Sequence, residues 1–186
     1  TNQEVYPKTE RGSIGIRVGV GGSPESVMRA ARLGIPLALA IIGGDPSRFA
    51  PFSKLYRMSL AEQGKPELPV SIHSPGHIAE TDEQAIEEMW PCYLESFGRI
   101  GRERGWGETS KDHFVSEVRY GSMYVGSPET VAAKITHALT SVSASRFDLK
   151  YANGTMPHSK LMNTIRLYAE EVAPRVQAAV DKESAA

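Results

Sequence analysis

The stretch Gly19-Val20-Gly21-Gly22-Ser23-Pro24-Glu25-Ser26 is where this sequence most plainly offers chemistry. Glycines let a backbone approach an anion closely, and amides at a helix start, together with the hydroxyls of Ser23 and Ser26, can donate to phosphate oxygens. Gly21, Gly22, Ser23 and Ser26 are therefore candidate phosphate-binding residues. The same pattern also makes a plain strand-to-helix turn. Ser23 can cap it, Pro24 suits a first position that needs no amide hydrogen, and Glu25 complements the positive end of the helix dipole. Spacing alone favours the cap, and Glu25 opposes a dianion unless its side chain points away. A near-copy of Gly22 to Val27 recurs as Gly126-Ser127-Pro128-Glu129-Thr130-Val131; it lacks the extra glycines and is expected to be only a cap.

Other chemistry-bearing residues are sparse. His73 and His77 lie four apart, but Pro75-Gly76 between them prevents the helical turn that would align them, and no HExxH pattern is present, so no metal site is expected. Cys92, the only cysteine, allows no internal disulfide and has no basic neighbour in sequence to activate it. Trp90, Tyr93 and Phe97 sit at helical spacing and read as core. Arg99, Arg102 and Arg104, interleaved with Glu103, read as a solvated face.

The elements that must position these residues alternate. A strand over 16–20 runs into the glycine turn and a helix ended by Gly34; Leu37 to Ile42 is a continuous apolar run, as in a strand buried on both faces. A helix is predicted from about Pro46 to Gln63, then a strand from Pro69 to Ser74 cut off by Pro75-Gly76. Thr81-Asp82-Glu83-Gln84 is a capping box before an amphipathic run to Ile100, with Pro91 as a local kink. Residues 101–121 read as an irregular excursion. A helix from Pro128 to about Leu139, a strand from Arg146 to Ala152 and a long helix over about 158–180, divided near Pro174, complete the chain. Strands alternating with helices at this spacing argue for parallel βα units. Four such units cannot close an eight-stranded barrel, which takes about 250 residues, so the chain is expected to form either a small open sheet or half of a barrel. The organisation reads as an arm over 1–13, one domain over 14–181 and a tail over 182–186.

Composition narrows the function classes. Twenty-one basic against 22 acidic residues in 186 leave a net charge of -1, which provides no basic field for nucleic acid or an anionic membrane surface. The longest apolar run, Ile35 to Ile42, falls well short of the roughly 20 residues that span a bilayer. The first residues lack the basic and apolar parts of a secretory signal, and the chain reads as cytoplasmic.

In order and spacing the chain resembles the bacterial luciferase-like, flavin-dependent monooxygenase family from about residue 16 to residue 176. The resemblance is carried by Gly19 to Ser26 followed by Ala30-Ala31-Arg32-Leu33-Gly34-Ile35-Pro36-Leu37, then Ile42-Gly43-Gly44, Tyr56-Arg57, Val125 to Val131 and Pro157-His158. It implies a (β/α)8 barrel of which this chain is the C-terminal half, with FMN phosphate held at Gly22, Ser23 and Ser26 and a deazaflavin coenzyme as the alternative. Since barrel enzymes place site residues at strand ends, His73 and Ser74, with Met156 after the fourth strand, are expected to line the substrate pocket; Asn153 and Thr155 are further candidates there. The implied activity is that of a flavin-dependent oxidoreductase acting on a small organic substrate with oxygen. The alternatives are a non-catalytic flavin-binding or assembly subunit, or a truncated fragment without activity alone. Unpaired sheet edges imply a homo-oligomer or pairing with the absent N-terminal half. The sequence singles out no catalytic acid or base.

Overall fold

The structure, a computed structural model, describes residues 6–10, 12, 14–105, 107 and 109–184. Parts of the expected arm (1–5, 11 and 13) and the end of the tail (185–186) lie outside the described residues. The chain runs β1 (Val18–Val20), α1 (Pro24–Leu33), β2 (Leu37–Ala40), a 3-10 turn (Pro46–Phe49), α2 (Ala50–Glu62) and β3 (Val70–Ile78). Then come α3 (Asp82–Arg104), α4 (Lys111–Tyr120), β4 (Tyr124–Gly126), α5 (Pro128–Val142), β5 (Arg146–Lys150), α6 (His158–Leu167), a π-helical turn (Tyr168–Val172) and α7 (Ala173–Ser184).

All strand pairs are parallel. β1 pairs with β2 and β2 with β3; β3 also pairs with β5 along 71–75 and, past the end of β2, with β4 along 76–78. The expected break at Pro75-Gly76 does not occur, and β3 runs straight through both residues. Pro75 lies beyond the last residue paired with β2, where a missing amide hydrogen costs the ladder little. Gly76 is required there, because a Cβ would stand 2.3 Å from the Tyr124 carbonyl oxygen and 2.5 Å from a Leu149 methyl.

The register sorts side chains onto two faces. Val20, Leu39, Ile72 and Phe147 are successive cross-strand neighbours, and they pack with Ala30 and Ala31 of α1, Tyr56 of α2, and Val131 and Ile135 of α5. Of the alternate positions, Gly19, Ala38, Ala40, His73 and Asp148 are exposed or half-exposed and belong to no core cluster, while Ser71 is buried and donates to the Leu37 carbonyl. Helices therefore cover one face of the sheet and leave the other open, as in a segment of barrel wall. A second core joins α3, α4 and β4 through Met89, Tyr93, Phe114, Val118, Met123 and Met156.

Residues 101–121 also depart from expectation. α3 continues to Arg104, and α4 forms a full helix capped by Ser110, whose hydroxyl accepts from the His113 amide, and anchored by buried Phe114 and Val118. Pro174 stands just past the π-helical turn, where the long C-terminal helix divides as its position predicts.

Candidate cofactor site

At the end of β1, Gly22 adopts φ +120°, a conformation that favours glycine. A Cβ at Gly19, Gly21 or Gly22 would meet nothing within 4 Å, so the turn lies open. Ser23 caps α1: its hydroxyl accepts from the Ser26 amide at 3.3 Å and donates to Glu25 Oε2 at 2.8 Å. The Glu25 carboxylate also accepts from its own amide, and these two hydrogen bonds hold its pKa below the usual range although it is fully exposed. Among the described residues the Ser26 hydroxyl meets only a long contact from Arg29, at 3.5 Å. The helix start thus already carries a negative group, Glu25, which solvent reaches freely.

The second copy of the turn holds a carboxylate more firmly. The Ser127 amide donates to Asp82 Oδ1 at 2.6 Å, and the Thr130 hydroxyl donates to Asp82 Oδ2 at 2.9 Å. Partial burial pushes the Asp82 carboxyl up, but the Ser127 and Thr130 hydrogen bonds outweigh it and bring the pKa below the ordinary value. Position for position, Ser127 corresponds to Ser23 and Thr130 to Ser26. The near-copy is therefore a cap, as expected, and also an anion clasp filled from within by the first residue of α3.

Gly21 opens onto a cavity of about 510 Å³ at the ends of β1 and β2, walled by Tyr93 and Phe97 of α3 and by His113 and Glu117 of α4. His73, Ser74 and Met156, expected at a substrate pocket, do not line it. His73 is half-buried on the open sheet face, in register with Ala40 and Asp148. Ser74 is buried and donates to the Ile41 carbonyl at 2.7 Å. Met156 is buried among Met89, Tyr93 and Met123. Asn153 ties its loop to β3 by donating to the Gly76 carbonyl at 3.0 Å, and Thr155 donates to Glu95 at 2.6 Å.

His77 is fully buried. Its Nε2 pairs with Glu88 at 2.8 Å and its Nδ1 with the Thr164 hydroxyl at 2.9 Å; burial pushes its pKa down against the pull of Glu88. This histidine ties β3 to α3 and α6. Among the described residues, no three His, Cys, Asp or Glu side chains gather to hold a metal ion. Cys92 is buried, and that burial raises its pKa.

The family profile of the luciferase-like monooxygenases matches residues 3–146. This chain belongs to that family. Among solved structures, this luciferase-like chain is similar to monooxygenase RslO1 from Streptomyces bottropensis, with 24% identity over 89% of the chain and 49% of RslO1, at a TM-score of 0.68. It is also similar to the oxygenating constituent of 3,6-diketocamphane monooxygenase from Pseudomonas putida, solved with FMN, with 16% identity over 86% and 48% of the two chains and a TM-score of 0.65. A third is the coenzyme F420 dependent tetrahydromethanopterin reductase from Methanopyrus kandleri, with 15% identity over 86% and 50% and a TM-score of 0.54. These likenesses are of fold, and the chain spans about half the length of each. No curated protein gives a significant sequence match. Among the described residues, no helix is long and apolar enough to cross a membrane.

Two parts of the site escaped the sequence reading. Asp82 was legible as a helix-start residue, but its role as occupant of a turn 45 residues away is a tertiary fact. His113 and Glu117 of α4 lay in a segment whose glycines masked a helix; the signal available was Ser110 followed by Phe114 and Val118, one helical turn apart.

Proposed function

We propose that this chain is the phosphate-binding half of a flavin-dependent luciferase-like oxidoreductase, holding FMN through Gly21, Gly22, Ser23 and Ser26. The observation that carries this reading is the twin turn. There the amide of Ser127 and the hydroxyl of Thr130 clasp the Asp82 carboxylate, and the first turn offers the same donors, from Ser23 and Ser26, to solvent. An anion fits: the turn is open on its glycine side, Arg29 stands beside Ser26, and Glu25 is an exposed occupant that a phosphate displaces by rotating it outward. The flavin supplies the redox chemistry when bound, its reduced form reacting with oxygen to act on a small organic substrate. The chain's part is to grip the phosphate and orient the cofactor. A deazaflavin coenzyme is the alternative guest, and parallel titrations with FMN and coenzyme F420 separate the two.

The test compares FMN with riboflavin, which lacks the phosphate. The Ser23→Ala/Ser26→Ala variant keeps the Ser23 amide but loses the Ser26 hydroxyl and the Ser23 hydroxyl, which Glu25 frees when it turns outward, so two charge-assisted hydrogen bonds go and FMN affinity falls about 30-fold while riboflavin affinity changes less than about threefold. Equal loss for both ligands rejects the site. A second reading, a flavin-binding chain without turnover of its own, is favoured by coverage of only half of the similar structures. Oxygen consumption by the FMN-loaded chain with a supplied flavin reductase distinguishes it.

A further inference from the structure

The cavity beside Gly21 has a chemistry distinct from that of the phosphate turn. Phe97 and Tyr93 stack at 4.3 Å and 20°, Tyr93 meets Phe114 at 4.7 Å, and Phe114 meets Trp90 at 5.6 Å. Phe114 is wholly buried and fixes this ladder from behind, so the rings of Phe97 and Tyr93 form a rigid wall on the cavity. Ala40 and Ile42 contribute small and apolar surface at the end of β2.

Four polar side chains line the site, Tyr93, Thr109, His113 and Glu117, and His113 stands at its exposed rim. Glu117 accepts from the Gly44 amide with Oε2 at 3.0 Å, and its Oε1 has no hydrogen-bond partner among the described residues. The Tyr93 hydroxyl also has no hydrogen-bond partner among them; burial, and secondarily the Glu117 charge, raise its pKa, so it stays protonated and able to donate. No lysine or arginine lines the cavity among the described residues. Its volume, about 510 Å³, falls within the range of small-molecule sites. An aromatic wall beside the unshared carboxylate oxygen of Glu117 selects a flat ring that carries a donor, and the Glu117 charge disfavours an anion at that spot although His113 and Thr109 line the same cavity.

We infer that this cavity binds a neutral aromatic molecule bearing a hydroxyl or amine, its ring packed on Phe97 and Tyr93 and its O–H or N–H donated to Glu117. That this ligand is a substrate rests on the flavin-dependent reading above; that it binds does not.

The test is calorimetric titration of the flavin-free chain with 2-naphthol, 2-methoxynaphthalene and naphthalene-2-carboxylate. The naphthol binds about tenfold more tightly than the methoxy compound, which has no proton to give, and the carboxylate binds weakest of the three. Glu117→Gln keeps an acceptor for the Gly44 amide but adds an amide donor facing the ligand, so the preference for naphthol over its methyl ether falls below about threefold. Phe97→Ala weakens both neutral probes alike. Equal affinity for all three probes, preference for the carboxylate, or no saturation at millimolar concentration overturns the inference. The wild-type ranking decides it even where a variant fails to fold, as circular dichroism reports. The Ser23→Ala/Ser26→Ala variant is titrated in parallel. Loss of FMN discrimination with the naphthol ranking intact rejects the cofactor site alone, and the converse rejects the aromatic site alone.

Discussion

Removing the Asp82 carboxylate provides a direct test of whether the Gly-Ser-Pro-Glu turn is an anion clasp. In Asp82→Ala the Ser127 amide and the Thr130 hydroxyl lose their acceptor, at 2.6 and 2.9 Å respectively. Two charge-assisted hydrogen bonds in a dry site contribute several kcal/mol; Asp82 is only half-buried, and solvent screening brings the expected loss to about 1–2 kcal/mol. For a chain of this length that lowers the melting temperature by about 2–8 °C. The emptied turn then accepts an outside anion. With an affinity of about 10 mM, inorganic phosphate at about 100 mM restores about 1.4 kcal/mol, most of the loss. The assay is thermal unfolding in phosphate and in chloride at matched ionic strength, for Asp82→Ala and wild type together. Phosphate also stabilises by exclusion from the surface and by binding the first turn, but both effects are common to the two proteins and cancel in the comparison. Asp82→Ala/Thr130→Val, which lacks the hydroxyl, is expected to lose much of the rescue. If phosphate raises the melting temperature of Asp82→Ala no further than that of wild type, the turn is only a cap, and the argument from the second copy to the first collapses.

Three more measurements bear on the fold and its surroundings. Gly76→Ala places a methyl 2.3 Å from the Tyr124 carbonyl oxygen, so it is expected to cost about 2–4 kcal/mol by urea unfolding; a change below about 0.5 kcal/mol refutes the close crossing of β3 and β4. Burial pushes the Lys134 ammonium down to about 8 against the pull of Glu117, while burial pushes the phenols of Tyr124 and Tyr168 up. Between about pH 8 and 9 the unfolded chain therefore binds more protons at Lys134 and stability rises with pH; from about pH 9 the unfolded Cys92 thiol ionises before the buried one and offsets that rise, and above about pH 10 the unfolded phenols do the same and stability falls. Urea midpoints that decline steadily from about pH 8, or a rise that persists in Lys134→Met, contradict that assignment. Sedimentation at micromolar concentration is expected to show self-association, because β1 pairs only with β2 among the described residues and Gly19, Ala38 and Ala40 lie on an uncovered face; a well-folded monomer contradicts it.

The sequence carried most of the alternation of elements, because its signals are local, but it missed the short strand β4 and so expected four strands where the sheet has five. Ser23, Ser127 and Thr81 cap α1, α5 and α3 where their types and neighbours place them, and Gly34 closes α1 at φ +65°. Where it misled, a local signal was overruled by a partner far along the chain. Pro75-Gly76 reads as a strand end until Tyr124 and Leu149 crowd the position from β4 and β5. Ser74 and Met156 were assigned by a strand-end rule, which fixes where along the barrel axis a residue lies but not the direction of its side chain; Ser74 turns to the Ile41 carbonyl and Met156 to the second core, whereas His73 lies on the open face of the sheet. Residues 101–121 failed for a different reason, since glycines at 101, 105 and 107 outweighed the two apolar residues that anchor α4.

The two turns separate what a motif fixes from what the fold decides. Both copies place an amide and a hydroxyl at the start of a helix, because serine, proline and a second hydroxyl residue fix that geometry locally. Neither copy specifies its guest. At α5 the guest is Asp82, because α3 begins beside it; a carboxylate built into the fold pays no cost of association and excludes ligands. At α1 no neighbouring element among the described residues supplies an acid, and the position is held by Glu25 of the turn itself, exposed and joined to the Ser23 hydroxyl. On the function proposed above, a phosphate dianion brings this site twice the charge of Glu25 and more acceptor oxygens, and it displaces Glu25 where its concentration exceeds its dissociation constant. Equal donor sets thus give one structural tie and, on the function proposed above, one exchangeable site, and the difference lies in the strand-to-helix turn at the open end of β1.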